Sequence, residues 1–305
     1  MMYFTGFADE AGKTIDVQIK ATKELGWTNI ESRAIEGINM TDITDAKFDE
    51  VAGKLKDAGV TINCFGSAVA NWAKYPDREE DFQKSIEELT RALPRMKRLG
   101  TKYIRAMSFK MALDNYPPTP EIEKEIFRKV THLSKMCEDA GVMYLHENCM
   151  NYGGLSQAHT LKLIENIKSK AFKLVFDTGN PVAAYDRQAG LADKRQSAWE
   201  FYSAVRDHIE YVHIKDGVFK DMPANGFYAN VDWKYPGEGE GDVIRIIDDM
   251  VKRGYDGGFS IEPHMALVFH DTSIQSPEAE MYRIYVEYGK RFMTIVENAK
   301  KKAGK

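Results

Sequence analysis

Short apolar segments alternate with helical segments along the whole chain, and this alternation constrains the fold more than any other feature. Eight segments have the apolar character of buried strands, and each is followed by a segment with helical periodicity. Strict alternation predicts parallel strands, because each helix returns the chain to the starting edge of the sheet. The predicted strands are 3–8, 29–33, 60–65, 102–107, 142–148, 173–177, 211–215 and 259–262.

The intervening segments read as helices bounded by capping residues. Asp77 with Glu80 forms a predicted capping box, and Pro94 inside the same helix predicts a kink or break. Other expected N-caps are Thr14, Thr119 and Ser156. The predicted helices are 14–25, 45–58, 77–99, 119–139, 156–167, 197–207, 242–252 and 276–300.

Eight strand–helix units in 305 residues favour a closed barrel. The alternative is an open, doubly wound sheet, which usually carries a Gly-rich turn after its first strand. Residues 7–12 read Phe-Ala-Asp-Glu-Ala-Gly and lack that pattern. No linker, strong repeat or low-complexity stretch divides the chain. We therefore predict an α/β protein with a (β/α)8 TIM barrel as a single domain over residues 1–305.

Composition excludes several classes of function. Apolar residues make up 43% and charged residues 29%, as in soluble globular proteins, and the net charge is −4. A nucleic-acid partner would call for a basic face, and a membrane span for about 18–20 consecutive apolar residues. The cysteines Cys64, Cys137 and Cys149 form no disulfide framework. With no secretory leader pattern, the chain is expected in the cytoplasm, unless a leader has been removed.

Polar side chains follow four consecutive predicted strands, at the point where each strand ends. They are Glu147, Asp177, His213 and Glu262. A lone histidine in a strand or a lone aspartate before a turn has ordinary structural explanations. In a barrel, however, the carboxyl ends of all strands meet at one face. Two Glu, one Asp and one His at that face predict a site for one divalent metal ion. Mn²⁺ suits this mixture best, and Mg²⁺, Co²⁺ or Zn²⁺ would also fit.

These motifs carry a family resemblance over nearly the whole chain. The chain resembles the xylose-isomerase-like barrel superfamily of sugar (phosphate) isomerases and epimerases, and in particular its ketose 3-epimerases. The matching pieces are His-Glu-Asn at 146–148, Phe-Asp-Thr-Gly-Asn at 176–180, His-Ile-Lys-Asp at 213–216, Pro-Gly-Glu-Gly-Glu-Gly-Asp at 236–242 and Ile-Glu-Pro at 261–263.

The resemblance implies both the metal ligands and a reaction. Glu147, Asp177, His213 and Glu262 would hold the metal, and Glu147 and Glu262 would also transfer protons. Epimerisation next to a carbonyl removes a weakly acidic C–H. A metal on the carbonyl and a neighbouring hydroxyl would stabilise the resulting enediolate, and two carboxylates would move the proton between faces.

The chain departs from the family pattern at two substrate-binding positions. Many relatives carry a histidine three residues after the strand-six aspartate, where this chain has Asn180. The epimerases also place an arginine shortly after the strand-seven histidine, where Lys215 and Lys220 are the nearest cations. Which sugar is bound is therefore left open. The candidate substrate contacts are Asn180, Lys215, His264, Trp72 and Glu10.

Three other polar residues near the strand ends have competing interpretations. Alternation turns His146 and His264 away from the barrel interior, which predicts a structural role for His146. His264 comes after the strand, so it could still reach substrate. Glu10 could contact substrate, but the simpler reading is that it caps the first helix.

Aromatic residues are concentrated in the loop at 217–241, and Trp72 lies in the loop after strand three. Such residues could stack on a sugar ring or form a contact between subunits, so a homo-oligomer is possible. The loop residues are Phe219, Phe227, Tyr228, Trp233 and Tyr235.

Several functions remain open at this point. The leading one is a metal-dependent sugar isomerase or epimerase. The alternatives are a lyase or dehydratase acting on a keto-sugar or inosose, and a non-catalytic sugar-binding barrel. The apurinic endonucleases of the same superfamily need further histidine ligands, which strands three and four do not supply. With no phosphate-cradling Gly-rich turn after strands seven and eight, an unphosphorylated or glycosidic substrate is expected.

Overall fold

Eight parallel strands form one sheet in the computed structural model, which describes residues 2–188, 194–224, 226–268 and 271–305. The strands are β1 Tyr3–Gly6, β2 Asn29–Ser32, β3 Thr61–Gly66, β4 Tyr103–Ala106, β5 Met143–Glu147, β6 Phe172–Asp177, β7 Ile209–Ile214 and β8 Gly258–Ile261. The order across the sheet is β1-β8-β7-β6-β5-β4-β3-β2, and a parallel bridge between Phe7 and Glu31 joins the two end strands. The TIM barrel prediction is confirmed.

Eight helices follow the strands and pack against the outside of the barrel through one large apolar cluster. Thr14, Thr119 and Ser156 cap their helices by accepting a backbone amide, as predicted. The helices are α1 Ile15–Glu24, α2 Asp45–Ala58, α3 Glu79–Leu99, α4 Pro120–Asp139, α5 Gln157–Asn166, α6 Ala198–Val205, α7 Val243–Lys252 and α8 Glu278–Lys302.

The start of α3 differs from the prediction. The residue before the helix is Arg78, which makes no side-chain cap, so the capping box of Asp77 and Glu80 is wrong. Instead, the carboxylate of Asp81 in the first turn accepts the amide of Tyr75 at 2.9 Å. The helix also continues through Pro94 without a break. Proline removes one backbone hydrogen bond, and the buried face of α3 holds the helix together across that gap.

Three short antiparallel hairpins lie outside the barrel sheet, and the sequence did not predict them. One pairs Ala34–Ile35 with Ile38–Asn39, and another pairs Leu267–Val268 with Asp271–Gln275. The third pairs Asp216–Asp221 with Asn230–Lys234, within the stretch interpreted as an open loop. This third hairpin projects from the carboxyl end of β7, so it forms part of the wall above the barrel.

The barrel interior changes character from one end to the other. Towards the amino ends of the strands, an apolar layer contains Cys64, Leu145, Val175 and Tyr211. Inward positions recur at every second residue of a strand. Two residues after Leu145, Val175 and Tyr211, the same inward face therefore carries Glu147, Asp177 and His213. These ligand-type side chains lie at the carboxyl end of the barrel, above the apolar layer.

One buried carboxylate organises the return from the third hairpin to α7. Asp216 accepts four backbone N–H groups, from Gly217 at 2.9 Å, Gly237 at 2.8 Å, Gly239 at 3.1 Å and Gly241 at 2.8 Å. A Cβ on Gly239 would lie 2.4 Å from Asp216 Oδ1, so only glycine permits this approach. The Gly-rich segment at 236–242 therefore wraps around a side chain of the protein itself.

Replacing Asp216 tests this arrangement. Asp216→Asn keeps one acceptor oxygen but turns an NH₂ group towards two amide donors. We expect the free energy of unfolding to fall by about 2–4 kcal/mol, measured by urea denaturation. Asp232→Asn, at an exposed position of the same hairpin, is the control and should change it by less than about 0.5 kcal/mol. Equal stability of the two variants would contradict the role given to Asp216.

Candidate metal centre

The four predicted ligands converge at the carboxyl end of the barrel. Glu147 and Asp177 are the last residues of β5 and β6, His213 is the penultimate residue of β7, and Glu262 follows β8 directly. Each offers one ligand atom, and the four atoms all lie within 4.8 Å of one another. All four side chains are buried. The structure thus brings together the set that the sequence singled out.

Hydrogen bonds between neighbouring strand ends hold these residues in place. The side chain of Asn148 brackets the backbone of Asp177, accepting its amide at 2.7 Å and donating to its carbonyl at 3.0 Å. The hydroxyl of Thr178 donates to the carbonyl of Lys215 at 2.6 Å and accepts its amide at 3.1 Å. The amide of Glu262 donates to the last carbonyl of β7 at 2.9 Å. The four ligand-type residues are therefore held relative to one another by the side chains of Asn148 and Thr178 and by the backbone of β7.

A buried carboxylate orients the imidazole of His213. Glu31 places its two oxygens 3.2 and 3.1 Å from His213 Nε2, so we assign the Nε2 proton to this contact. Nδ1 then faces Glu147 Oε1 at 3.5 Å and Asp177 Oδ2 at 4.0 Å. Burial lowers the pKa of His213, but Glu31 and Glu147 raise it to about 10. This carboxylate–histidine arrangement is typical of metal-ligating histidines.

Two buried atoms at the centre of the cluster make no hydrogen bond within the described part of the chain. They are His213 Nδ1 and Asp177 Oδ2, although Asp177 Oδ2 forms an ion pair with Lys215. The other oxygen of Asp177 is satisfied by the amides of Gly179 at 2.8 Å and Asn180 at 2.7 Å. Buried polar atoms are rarely left without a hydrogen bond, so His213 Nδ1 in particular fits contact with a bound ion. Three carboxylates and one imidazole nitrogen fit a divalent cation.

The ammonium group of Lys215 lies at the edge of this cluster. Its Nζ is 3.1 Å from Asp177 Oδ2 and 2.9 Å from Glu262 Oε2. Burial lowers the pKa of Lys215, but Asp177 and Glu262 raise it above its ordinary value. Lys215 is therefore charged at neutral pH, and it neutralises part of the negative charge of the ligands.

Two buried arginines also contact the carboxylates of the cluster. Arg33 pairs with Asp9 at 2.8 Å, Glu10 at 3.1 Å and Glu262 at 3.0 Å. Arg105 Nε lies 3.5 Å from Glu147 Oε2. Arg33, Arg105 and Glu31 were all missed by the sequence reasoning. The available signal was a charged residue in or directly after a strand, at an inward-facing position beside apolar neighbours.

A cavity opens above the cluster, and four of the five candidate substrate contacts line it. They are Asn180, Lys215, His264 and Trp72. The Nδ2 group of Asn180 also donates to Glu147 Oε1 at 3.0 Å. Cys149 lies in the same wall. Contact of these residues with a substrate stays a prediction.

Glu10 occupies a different place from the one predicted. It is buried in the turn after β1, where it accepts the amide of His264 at 2.7 Å and faces its Nδ1 at 3.0 Å. The interpretation of Glu10 as the cap of the first helix is wrong, because Thr14 caps α1. Glu10 instead hydrogen-bonds to His264 and positions it. Direct contact of Glu10 with a substrate stays a prediction.

The alternation argument for the two other histidines succeeds for one and fails for the other. His146 is buried outside the barrel interior, with Nε2 at 2.9 Å from the hydroxyl of Ser108, which fits a structural role. His264 lines the cavity, so the prediction that it turns away is wrong. The reason is that β8 has already ended at Ile261, and His264 adopts a left-handed φ of 56°.

The aromatic residues at 217–241 divide into two groups. Tyr228 and Trp233 line the cavity, and Trp233 meets the ring of His264 edge-on at 5.3 Å. The others pack against the protein itself. Phe219 stacks on Tyr185. The rings of Phe227 and Tyr235 pack at a tilt against those of Tyr116 and Tyr288, respectively.

Residues 19–284 match the sequence profile of the family described as xylose isomerase-like TIM barrel. This chain is a xylose isomerase-like TIM barrel. No curated protein matches it in sequence. Among the described residues, none of the helices combines the length and apolarity needed to cross a membrane.

Solved structures share the fold of this xylose isomerase-like barrel at low sequence identity, which supports the fold alone. A xylose isomerase-like TIM barrel protein from Mycobacterium smegmatis in complex with magnesium aligns with 16% identity and a TM-score of 0.68, over 98% of this chain and 97% of that one. The probable 3-DHS dehydratase of Bacillus anthracis aligns with 15% identity and a TM-score of 0.69, over 96% of this chain and 99% of that one. The D-psicose 3-epimerase of Clostridium cellulolyticum H10 aligns with 13% identity and a TM-score of 0.68, over 98% of this chain and 99% of that one.

The raised pKa of His213 predicts that metal binding releases a proton. With a pKa of about 10, His213 is protonated at pH 8 without metal, and a metal ion must displace that proton from Nδ1. We expect about one proton released per Mn²⁺ bound at pH 8, from calorimetry in buffers of different ionisation enthalpy. The apparent affinity should also rise with pH between about 7 and 9.

Glu31→Gln is the matched control for this measurement. It keeps the shape of the contact but removes the charge that raises the pKa of His213, so proton release at pH 8 should fall well below one. If the parent protein releases no proton when it binds Mn²⁺, the assignment of His213 as a ligand is contradicted.

Proposed function

We propose that this chain is a divalent-metal-dependent sugar isomerase or epimerase, which transfers a proton next to a carbonyl through an enediolate. The observation that carries the proposal is the convergence of four buried ligand-type side chains, two of which, Glu147 and Glu262, line a cavity. The D-psicose 3-epimerase named above and a structure described as L-ribulose 3-epimerase share the barrel, which agrees with this class of reaction.

The metal would be held by Glu147, Asp177, His213 and Glu262. When bound, it supplies positive charge that polarises the substrate carbonyl and makes the neighbouring C–H more acidic. Mn²⁺ is our first candidate because it accepts both carboxylate and imidazole ligands. The magnesium bound by the Mycobacterium smegmatis protein makes Mg²⁺ the second candidate.

Glu147 and Glu262 would carry the proton. Burial raises the pKa of Glu147, but Arg105 and His213 lower it to about 2, and Lys215 and His264 likewise hold that of Glu262 below its ordinary range. Both side chains are therefore ionised at neutral pH and can accept a proton. They are weak bases, so the reaction depends on a substrate whose C–H has been made acidic.

A dehydratase acting on a keto-sugar or inosose is the second candidate, and Lys215 is the observation that favours it. Its charged ammonium group lines the cavity beside Glu262, at 2.9 Å from Oε2. Elimination of water needs a cation or acid at the departing hydroxyl, and Lys215 can hydrogen-bond to such a group. The Bacillus anthracis dehydratase shows that the barrel also occurs in enzymes of this name.

We further propose that the substrate is a small sugar and that the protein acts in the cytoplasm. Cys64, Cys137 and Cys149 are all free thiols, which suits a reducing compartment. The first two are buried, and the third lies at the cavity wall. A homo-oligomer stays a prediction.

Incubation with a panel of ketoses, ketose phosphates and keto-glycosides in D₂O with Mn²⁺ tests the proposal directly. Isomerisation or epimerisation incorporates deuterium next to the carbonyl and conserves mass apart from that exchange. Elimination removes that hydrogen together with the neighbouring hydroxyl as water and yields a dehydrated, unsaturated product, which separates the two candidates by NMR. A bound sugar that neither exchanges nor reacts would support a sugar-binding barrel instead.

Substitution of the ligands separates proton transfer from metal binding. Glu147→Gln and Glu262→Gln keep an oxygen that can coordinate weakly, but they lose the group that accepts a proton. With saturating Mn²⁺, we expect kcat to stay about 10²-fold or more below that of the parent protein. The measurement is kcat as a function of Mn²⁺ concentration.

Asp177→Asn is the matched control, because Asp177 is assigned to coordination alone. Added metal should restore much of its activity. If excess Mn²⁺ restores Glu147→Gln and Glu262→Gln to the same extent, the two glutamates act only as ligands. Proton transfer would then pass to another group on the cavity wall, with His264 as the first candidate.

A further inference from the structure

The guanidinium group of Arg105 has hydrogen-bonding capacity that the protein does not use. Arg105 extends from β4 beneath the cavity, and only 7% of the residue is exposed. Its Nε has no hydrogen-bond partner within the described residues, and the nearest carboxylate oxygen, Glu147 Oε2, is 3.5 Å away. A buried guanidinium without a matched acceptor is costly, so its presence calls for an explanation.

The second arginine of the cavity wall provides the contrast. Arg33 is buried to the same degree, yet its Nε and both terminal nitrogens each donate to a carboxylate. Arg33 is thus committed to the protein, where it holds Glu10 and Glu262. Arg105 lines the same cavity without an equivalent set of acceptors.

A counter-ion role alone accounts for only part of this geometry. The positive charge of Arg105 lowers the pKa of Glu147 and of Glu31, so it stabilises both in ionised form. A lysine could equally supply a positive charge at 3.5 Å from the carboxylate of Glu147. The planar fork of arginine matches a carboxylate with two parallel hydrogen bonds, and Arg105 is one of the residues that line the cavity.

We propose that Arg105 binds a carboxylate group of the substrate, so that the substrate is a keto-sugar acid or a related hydroxy-ketone carboxylate. This inference rests on the proposed function for the reaction at the metal centre. It adds the chemical class of the molecule on which that centre acts. Arg105 neighbours Glu147, so a substrate with its carbonyl at the ligand cluster can place an acidic group at the guanidinium.

The loops that bind phosphate in many barrels argue for a carboxylate rather than a phosphate. Such sites use free backbone amides after strands seven and eight. Here the amides of the Gly-rich segment at 236–242 that follow β7 already bind the carboxylate of Asp216. After β8, the amide of His264 binds the carboxylate of Glu10. The chain thus fills these anion sites with its own side chains.

Matched ligands can isolate the contribution of one carboxylate. The panel comprises the four D-ketohexoses, the acids formed from each by oxidation of C1 or C6, and the 6-phosphates of the four parent ketoses. Dissociation constants are measured by calorimetry with the Mn²⁺-loaded protein. We expect at least one acid to bind about 10- to 100-fold more tightly than its parent ketose, and more tightly than the matching 6-phosphate.

Two substitutions test whether Arg105 is responsible for that preference. Arg105→Gln should abolish the preference for the acid while changing the affinity for the parent ketose much less. Arg105→Lys keeps the charge and loses the fork, so the preference should fall at least about three-fold. If the glutamine variant does not fold, as judged by circular dichroism, the lysine variant decides the question.

Each result of the binding measurements either supports or overturns the role of Arg105. The inference is overturned if no acid in the panel is preferred ten-fold over its ketose, if a 6-phosphate is preferred instead, or if the preference survives at Arg105→Gln. An acid chelated by the metal alone would give that last result. A role as counter-ion only would reduce the affinity for acid and ketose equally, which also overturns it.

This test is separate from that of the proposed function, because binding does not require turnover. Deuterium exchange into neutral ketoses without any preference for acids would leave the proposed reaction standing and remove the inference about Arg105. Binding of acids through Arg105 with no exchange at the carbon next to the carbonyl would do the reverse.

Discussion

The structure depends on the burial of unlike charges at one end of the barrel. Six buried carboxylates meet only three buried lysine or arginine side chains in this network, so its negative charge is not balanced by fixed cations. A protonated His213 or a divalent metal ion offsets part of that excess negative charge. The carboxylates are Asp9, Glu10, Glu31, Glu147, Asp177 and Glu262, and the cations are Arg33, Arg105 and Lys215.

This charge network also links the elements that carry the ligand-type residues. Arg33 connects the turn after β1 with the residue after β8, and Lys215 connects the ends of β6 and β8. Strands that are distant in sequence are therefore joined by ion pairs across the mouth of the barrel. Adjacent strands are joined by the side chains of Asn148 and Thr178. The ligand atoms are thus positioned before any metal arrives, which lowers the entropic cost of binding it.

Most of the fold and the ligand set could be predicted from the sequence, because both depend on local patterns. Alternating periodicities give the barrel, and polar residues at strand ends give the cluster. Local patterns could mark Glu31, Arg33 and Arg105 as charged residues at inward positions, but not their roles, because their partners lie on other strands and meet them only when the barrel closes. The hairpin at 216–234 was missed for a related reason, since Asp216 pairs with amides about 20 residues further along the chain.

The binding of four glycine amides by the carboxylate of Asp216 has a consequence for how such barrels diversify. The hairpin leaves the barrel at Asp216 and returns through the segment that closes on the same carboxylate, so both of its ends are anchored at one point. The stretch between them carries cavity-lining rings such as Tyr228 and Trp233. Insertion, deletion or replacement within that stretch can therefore reshape the entrance while the cluster of Glu147, Asp177, His213 and Glu262 keeps its geometry. The anchor makes the hairpin a replaceable segment, through which the shape of the cavity can evolve independently of that cluster.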